Sequence, residues 1–285
     1  MKSIDSIHEI TKAMGMIAAF RFKRAENRWA KSKNYLVEME KLVADLSGAA
    51  QNLSDPRHKD FDGQALFEKR NVKKKALIVM TGDKGLCGAN NTNILRVANK
   101  WLKDNAAFET FLIPVAKVGH EFFRKKQLPI LRMYPEKSLV DFSLAKKITE
   151  EMKDAFLKKE IDSVELLYTS YKPGGTGENR IAPLLSLDYL MESGGKDKNP
   201  PDFIFEPDFN SVFLSLLSRY LEGKMYVALL ESLTSETSAR MVAMKQATEN
   251  AEEVLDNLRL LRNKTRQATI TRELSEIVSG ASVLV

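Results

Sequence analysis

Apolar side chains recur at spacings of three and four residues through roughly the first fifty residues of the chain. The members of this stripe are Ile4, Ile7, Thr11, Met14, Ala18, Phe22, Ala25, Trp29, Ser32, Leu36, Met39, Val43, Leu46 and Ala50. A seven-residue repeat of this kind is typical of a coiled-coil helix, and the two successive steps of four around Ala18 locally unwind the supercoil. We therefore predict one long helix over residues 1–54, which ends before Pro56.

The middle of the chain, residues 73–207, alternates short apolar runs with amphipathic stretches. Strands are predicted at Ala76–Met80, Thr110–Val118, Ile130–Tyr134, Val164–Tyr171 and Ile181–Leu187, and helices at Asn90–Leu102, Gly119–Lys126 and Ser143–Lys158. This alternation favours an α/β domain with a mostly parallel, Rossmann-like sheet. Residues 173–177 and 193–201, rich in Gly, Pro and polar side chains, are predicted to be exposed loops.

A second apolar stripe lies near the end of the chain, where no proline occurs after about residue 210. It runs through Met244, Ala247, Ala251, Val254, Leu258, Leu261, Thr265 and Ala268, and reappears with a phase shift at Ile270, Leu274, Ile277, Ala281 and Leu284. The pattern predicts a second coiled-coil helix over residues 210–285.

The predicted C-terminal helix is too long to lie inside its own domain. Roughly sixty residues after Glu222 make a helix of about 90 Å, whereas a compact globule of this chain length is about 50 Å across. The simplest arrangement is a long antiparallel coiled coil of the N- and C-terminal helices, with the α/β domain inserted between them. A homodimeric coiled coil, or a helix broken near Gly223 and the Ser/Thr-rich residues 232–238, are the alternatives.

The last residues of this helix, 277–285, are nearly uncharged and mostly apolar. A helix end of this composition is poorly suited to water, which indicates that another protein surrounds it.

Composition narrows the functional classes. Hydrophobic residues make up 44% of the chain and charged residues 29%, which is typical of a folded protein rather than a disordered or membrane-spanning one. Cys87 is the only cysteine and the three histidines are far apart, so disulfide frameworks are excluded and no metal or other cofactor is predicted. No targeting signal is visible at the N-terminus.

The glycine-rich stretch Gly82-Asp-Lys-Gly-Leu-Cys-Gly88 follows a predicted strand and precedes a helix, the position of a phosphate cradle. It lacks both the Gly-Lys-Ser/Thr ending of a P-loop and the G-x-G-x-x-G spacing of a dinucleotide site. A tight strand-to-helix turn is the favoured interpretation. An α/β nucleotide-binding enzyme with a helical oligomerisation arm remains the alternative function.

Two groups of basic residues lie on the predicted terminal helices. They are Arg21, Lys23, Arg24, Arg28, Lys31 and Lys33, and Arg259, Arg262, Lys264, Arg266 and Arg272. The net charge of +6 permits a solvated helix face, a nucleic acid or an acidic protein surface as the partner. The aromatic and helix-turn-helix patterns of nucleic-acid-binding proteins are missing, so no nucleic-acid partner is predicted.

Several ordered blocks of the sequence resemble the gamma subunit of F-type ATP synthase. They are Ile10-Thr-Lys-Ala-Met14 with Met16-Ile-Ala-Ala19, the stretch 82–88, Phe205-Glu-Pro-Asp208, Ala239-Arg-Met-Val-Ala-Met-Lys-Gln-Ala-Thr-Glu-Asn250, Asn263-Lys-Thr-Arg-Gln-Ala-Thr-Ile-Thr271 and Glu273-Leu-Ser-Glu-Ile-Val-Ser-Gly-Ala281. The three blocks within the C-terminal helix are the most specific.

The resemblance implies a central-stalk rotor that is itself non-catalytic. In the family, the coiled coil turns within a ring of three alpha and three beta subunits, and the α/β domain stands on the membrane rotor ring (the c-ring) beside epsilon. The implied location is peripheral, at the cytoplasmic face of a bacterial inner membrane, with the matrix side of the mitochondrial inner membrane as the alternative.

The resemblance also implies residues that couple the rotor to the stator. Met14 and Cys87 match positions near the acidic lever loop of beta, and Arg240 matches a position that influences this coupling. Arg266 and Gln267 match the pair that meets the catch loop of beta, and Gln267 also matches a coupling position. Simple packing within the coiled coil remains the alternative for Met14.

Overall fold

The computed structural model describes residues 1–52, 66, 71–134, 140–173, 177–185, 205–206 and 208–283. The helices within these ranges are α1 (Lys2–Asn52), α2 (Asn90–Asp104), α3 (Lys117–Lys125), α4 (Phe142–Leu157) and α5 (Phe209–Val283), and the strands are β1 (Lys74–Met80), β2 (Glu109–Val115), β3 (Ser163–Ser170) and β4 (Glu178–Leu185). The predicted loop 193–201 and most of the loop 173–177 lie outside the described residues.

The four strands form one mixed sheet in the order β2-β1-β3-β4. Strand β1 pairs in parallel with both β2 and β3, whereas β4 is antiparallel to β3. The predicted strand at Ile130–Tyr134 is wrong: this stretch makes only two isolated bridges, Leu112 to Ile130 and Val115 to Tyr134. The chain passes the edge of β2 there without holding its register for a full strand.

The two faces of the sheet are covered by different helices. Helices α2 and α3 cover one face, where Ile94, Trp101 and Phe123 pack against Leu77 and Val79 of β1. The other face carries the larger core, to which α1, α4 and α5 contribute. The terminal helices are therefore part of the α/β core, and buried apolar side chains attach the sheet to them.

Helices α1 and α5 form an antiparallel pair along nearly the whole of α1. Thr11 lies opposite Thr248, and Leu36 lies opposite Gly223. The predicted stripe of α1 supplies its least exposed residues, among them Ala18, Ala25, Trp29, Met39, Val43 and Leu46. In each helix the observed burial is shifted by one residue from the predicted stripe at one point. In α1, Ile7 is exposed beside a half-buried His8, and in α5, Val254 is exposed beside a buried Leu255.

Helix α5 is continuous for 75 residues, or about 110 Å. The alternative of a helix broken near Gly223 is wrong, and the predicted long helix is observed. Leu36 of α1 packs over Gly223, at 3.6 Å from the position that a Cβ would occupy there. The hydroxyls of Thr234 and Thr237 bond back to the carbonyls of Leu230 and Leu233, so they satisfy their polar groups within the helix instead of ending it.

The last part of α5 extends past the start of α1. Extrapolating the antiparallel register places the N-terminus of α1 opposite about residue 258 of α5. Every residue from Arg259 to Ile277 is exposed, and we call this stretch the upper segment. The sequence predicted that the whole of 210–285 pairs with 1–54; among the residues whose side chains the structure describes, only the part of α5 up to about Leu258 packs on α1.

Candidate functional site: the junction of helix α5 with the strand ends

The carboxyl ends of β1 and β3 are where ligands bind in open α/β sheets. In this chain α5 crosses that edge. The hydroxyl of Ser232 donates to the carbonyl of Met80 at the end of β1 (3.4 Å), and the hydroxyl of Ser235 donates to the carbonyl of Ser170 at the end of β3 (3.0 Å). A Cβ on Gly177 would lie 2.5 Å from the Ser170 carbonyl and 3.0 Å from the Ser235 hydroxyl, so the backbone closes tightly here.

The loop after β1, residues 82–88, is held from inside the α/β domain by Asn91 of α2. The backbone N–H of Gly82 donates to the Asn91 side-chain oxygen at 2.9 Å. The Asn91 side-chain nitrogen donates to the Lys84 carbonyl and to the Cys87 sulfur, each at 3.3 Å. One buried amide therefore ties the beginning, middle and end of the loop together, and it uses a backbone N–H that a phosphate cradle would offer to its ligand.

The same loop is held from the outside by α5. The side chain of Arg240 donates to the carbonyls of Lys84 and Gly85 at 3.2–3.3 Å and forms an ion pair with Glu236 at 2.8 Å. The Glu236 carboxylate in turn packs against Gly82, where an added Cβ would lie 2.8 Å from one of its oxygens. A carboxylate at this position repels a phosphate, which is a physical argument against a nucleotide in the 82–88 loop.

Cys87 lies in this junction, and its thiol is not at the surface. The side chain is 1% exposed and contacts Asn91. Burial, together with the nearby Glu236 carboxylate, raises the pKa of the thiol, which suppresses its reactivity. Its neighbour Leu86 is instead on the surface of the loop: it is 59% exposed and holds a left-handed backbone conformation with φ of 62°.

The structure brings Cys87 and Arg240 together and places the other predicted residues elsewhere. Met14 is half-buried on α1, next to Gly15, whose Cβ position is 3.5 Å from the Cβ of Met244 across the coiled coil. Arg266 and Gln267 lie in the upper segment and are exposed. About 26 residues of helix, or roughly 40 Å, separate them from Arg240.

The sequence reasoning missed Glu236, Asn91 and the serines of the junction. The Ser/Thr-rich residues 232–238 left a broken helix open as the alternative, yet their hydroxyls are directed at the strand ends and at a carbonyl of α5 itself. A run of small hydroxyl-bearing residues within an otherwise apolar helix is the signal that could have indicated a close helix-to-sheet crossing.

Comparison with known proteins decides the family. The family model described as ATP synthase matches residues 1–284. The gamma chain of ATP synthase from Chlorobium limicola is 35% identical over 100% of this chain and 96% of its own length, and that from Azoarcus is 38% identical with the same coverage. The chain belongs to the ATP synthase gamma chain family. This membership confirms the resemblance, and it does not favour the nucleotide-binding alternative.

Solved structures support the same fold. The rotor of the Euglena gracilis mitochondrial ATP synthase matches with a TM-score of 0.62 at 18% identity, over 94% of this chain and 95% of that one. A central-stalk chain of the Tetrahymena thermophila mitochondrial ATP synthase matches with a TM-score of 0.61 at 23% identity, over 84% and 99%. The predicted fold class, an α/β domain inserted into a long antiparallel helical pair, is thereby confirmed. In the described part of this gamma chain homologue, no helix has the length and apolar character needed to cross a bilayer.

Proposed function

We propose that the chain is the central-stalk rotor of an ATP synthase, non-catalytic itself, which turns within a ring of alpha and beta subunits. One observation carries the proposal. The upper segment of α5 leaves its own domain and presents large apolar side chains to its surroundings, including Leu260, Leu261, Ile270, Leu274 and Ile277, each 48–69% exposed. A single helix of this length gains its stability from packing, so it needs a surrounding partner.

The construction of the junction supports a mechanical role. At the strand ends, where a Rossmann-like enzyme binds its ligand, this chain places Ser232, Ser235 and Glu236 of α5. The α/β domain and the coiled coil share one buried core. Torque applied to the domain would therefore be transmitted to α5 through this shared core.

Rotation is coupled to the conformations of the beta subunits through differential binding. A rotor that contacts each beta subunit differently stabilises a different conformation in each, and rotation moves this bias around the ring. We assign contact with the stator to Met14, to the 82–88 loop, which carries Cys87 and is held by Arg240, and to Arg266 with Gln267. The left-handed, exposed Leu86 fits a contact at the loop, because strained surface residues persist where function requires them.

The remaining partners follow from the same proposal. The α/β domain would stand on the c-ring and beside epsilon, which makes the subunit peripheral to the membrane through the complex. The two gamma chains compared above, from Chlorobium limicola and Azoarcus, are bacterial, which supports the cytoplasmic face of the inner membrane over the mitochondrial alternative.

Affinity capture tests the proposal. An affinity tag on this chain is expected to capture alpha, beta and epsilon from solubilised membranes. Replacing the five apolar side chains of the upper segment by serine should abolish capture of alpha and beta while leaving the melting temperature of the isolated chain unchanged. Undiminished capture by that variant would overturn the assignment of the upper segment.

Equilibrium dialysis separates this function from the nucleotide-binding alternative. The isolated chain is expected to show no specific site for ATP, and a stoichiometric site lost on mutation of the 82–88 loop would support the enzyme instead.

A further inference from the structure

Arg240 is bound inside its own chain through two of its three side-chain nitrogens. Its Nε donates to the Gly85 carbonyl, and the two hydrogens of Nη2 are shared among the carbonyls of Lys84 and Gly85 and the Glu236 carboxylate. The side chains of Arg240 and Glu236 are 13% and 7% exposed, whereas the other ion pairs between i and i+4 on α5 are largely solvated. The Arg240 guanidinium is therefore directed at the loop backbone and not at the solvent.

Glu236 contacts both the loop and Arg240. Its carboxylate packs against Gly82, where the loop begins, and its Oε1 accepts from Arg240, which binds the carbonyls in the middle of the loop. The planar fork of an arginine suits this task because it offers several donors in fixed directions, which an ammonium group does not. Removing the Glu236 charge would therefore loosen Arg240 and, through it, the loop.

We propose that Glu236 and Arg240 form a latch that positions the 82–88 loop on α5, and that Arg240 acts on coupling through the loop rather than by direct contact with the stator. This inference rests on the proposed rotor function. Glu236 and Arg240 are positioning residues in it, and the contact surface is the loop itself, including the exposed Leu86.

Direct contact of Arg240 with the stator and positioning of the loop by the latch predict opposite effects of Glu236→Gln on coupling. If Arg240 attracted an acidic stator group directly, neutralising Glu236 would release Arg240 and strengthen that attraction. If the latch holds the loop, Glu236→Gln and Arg240→Ala change coupling in the same direction. The double variant should then be no worse than the more severe single variant, because both residues serve one contact.

The first measurement uses the chain's single cysteine as a reporter of loop position. The Cys87 side chain is the buried member of the loop, so maleimide alkylation in the full-length chain requires the loop to open. We expect Glu236→Gln and Arg240→Ala to accelerate alkylation by about tenfold or more, as loss of a charge-assisted hydrogen bond implies. Arg240→Lys, which keeps the charge and loses the fork, should also accelerate it.

The matched control for this measurement is Glu249→Gln, which removes an exposed carboxylate paired with Lys245 on the same helix. It should leave the alkylation rate unchanged. Amide exchange in β1 serves as a second control, because global destabilisation would accelerate it together with alkylation, whereas loop opening would not. Unchanged alkylation of Cys87 in Glu236→Gln and Arg240→Lys overturns the latch.

The second measurement is ion pumping per ATP hydrolysed in the assembled complex. Glu236→Gln, Arg240→Lys and Arg240→Ala are all expected to lower it, with Glu249→Gln unchanged. Opposite effects of Glu236→Gln and Arg240→Ala would overturn the inference in favour of direct contact, and faster alkylation without any change in pumping would overturn it as well. Failure of the proposed function is distinguishable, because it appears as absent capture of alpha and beta by the unmodified chain.

Discussion

Helix α5 passes through two environments although its apolar stripe continues through both. From Phe209 to Leu258 it lies on α1 and on the sheet, and its side chains between Tyr220 and Thr237 are mostly buried. From Arg259 to Ile277 the same kind of stripe is exposed. The lower part is stabilised within the chain, whereas the upper segment depends on a partner. An apolar stripe therefore shows that a helix face is to be covered, but not by what.

The largest effect expected from this comparison is on stability. Leu230 is fully buried in the lower part, and Leu261 in the upper segment is 60% exposed. Leu230→Ala should lower the unfolding free energy of the isolated chain by about 2–5 kcal/mol, because it leaves a cavity. Leu261→Ala should change it by less than about 0.5 kcal/mol. Urea denaturation measures both, and a large loss in Leu261→Ala would show that the upper segment is packed in the isolated chain.

The next effect concerns a buried charge. Burial lowers the pKa of the Lys224 ammonium in α5 to about 8; Glu40 opposes this shift and Arg180 adds to it. In the unfolded chain this pKa is about 10.4, so between these values the unfolded chain binds the proton that the folded chain has lost. The stability contributed by Lys224 therefore rises with pH through this window, and the full cost of burial is present below pH 8.

Lys224→Met is accordingly expected to stabilise the chain at pH 7 by about 1–3 kcal/mol, less than the shift alone implies because the group retains some solvent. The difference between wild type and variant should disappear as the pH rises towards 10.4. Lys264→Met, in the exposed upper segment, is the matched control. It should change neither the stability at pH 7 nor the dependence of stability on pH. Urea midpoints from pH 7 to 10 test this, and a pH-independent difference would contradict it.

Met14→Lys separates stator contact from packing in the coiled coil. A new ion pair with an acidic stator loop adds up to about a few kcal/mol of attraction before desolvation, at an effective dielectric near 20. We expect ATP hydrolysis to continue while ion pumping per ATP falls. Met16→Lys, at a position 63% exposed, provides the control. Normal pumping with a destabilised isolated chain would assign Met14 to packing alone.

Arg266→Ala and Gln267→Ala probe the upper segment in the complex. Each truncation should remove a hydrogen bond to the stator worth about 0.5–3 kcal/mol, with the larger loss for Arg266 because its charge is also removed. ATP hydrolysis should slow, or assembly weaken, while the melting temperature of the isolated chain stays constant. Arg266→Lys keeps the charge without the planar fork, so full activity there would indicate simple charge attraction. Full activity in Arg266→Ala would place the residue on a merely solvated face.

The smallest effect is expected at the upper end of the coiled coil. The hydroxyls of Thr11 and Thr248 bond across the two helices at 2.9 Å. Thr11→Val should cost the isolated chain about 0.5–1.5 kcal/mol. Thr265→Val removes a hydroxyl that bonds only within α5, to the Leu261 carbonyl, and should be nearly neutral. Equal losses from both would indicate that the bond between the helices contributes nothing.

Local patterns were sufficient for most of the elements. The alternation of apolar runs with amphipathic stretches predicted β1 and helix α2 to within about two residues, because these elements bury one face or both in a fixed period. The run at Ile130–Tyr134 has the apolar composition of a strand. In the structure it makes two isolated bridges to β2 and no continuous ladder, so it is not a strand. Composition predicts burial there, while strand formation depends on the neighbouring backbone.

The candidate site was predictable only in part. The glycines of the 82–88 loop and the cysteine in it are visible in the sequence, and the family resemblance identifies Arg240. The contacts that hold the loop are long-range: Glu236 and Arg240 reach it across more than 150 positions of the chain. No local period encodes such a contact, since it arises only when α5 crosses the strand ends.

What the sequence by itself determined is the set of two terminal helices, the inserted α/β domain and the family to which the chain belongs. Each of these is expressed in spacings and blocks that are local in the chain. The tertiary structure alone decided where the helical pairing stops, which serines cover the strand ends and why the Cys87 thiol is buried. Those features depend on the antiparallel register of α1 against α5, and a register is set by the packing of side chains that lie two hundred residues apart.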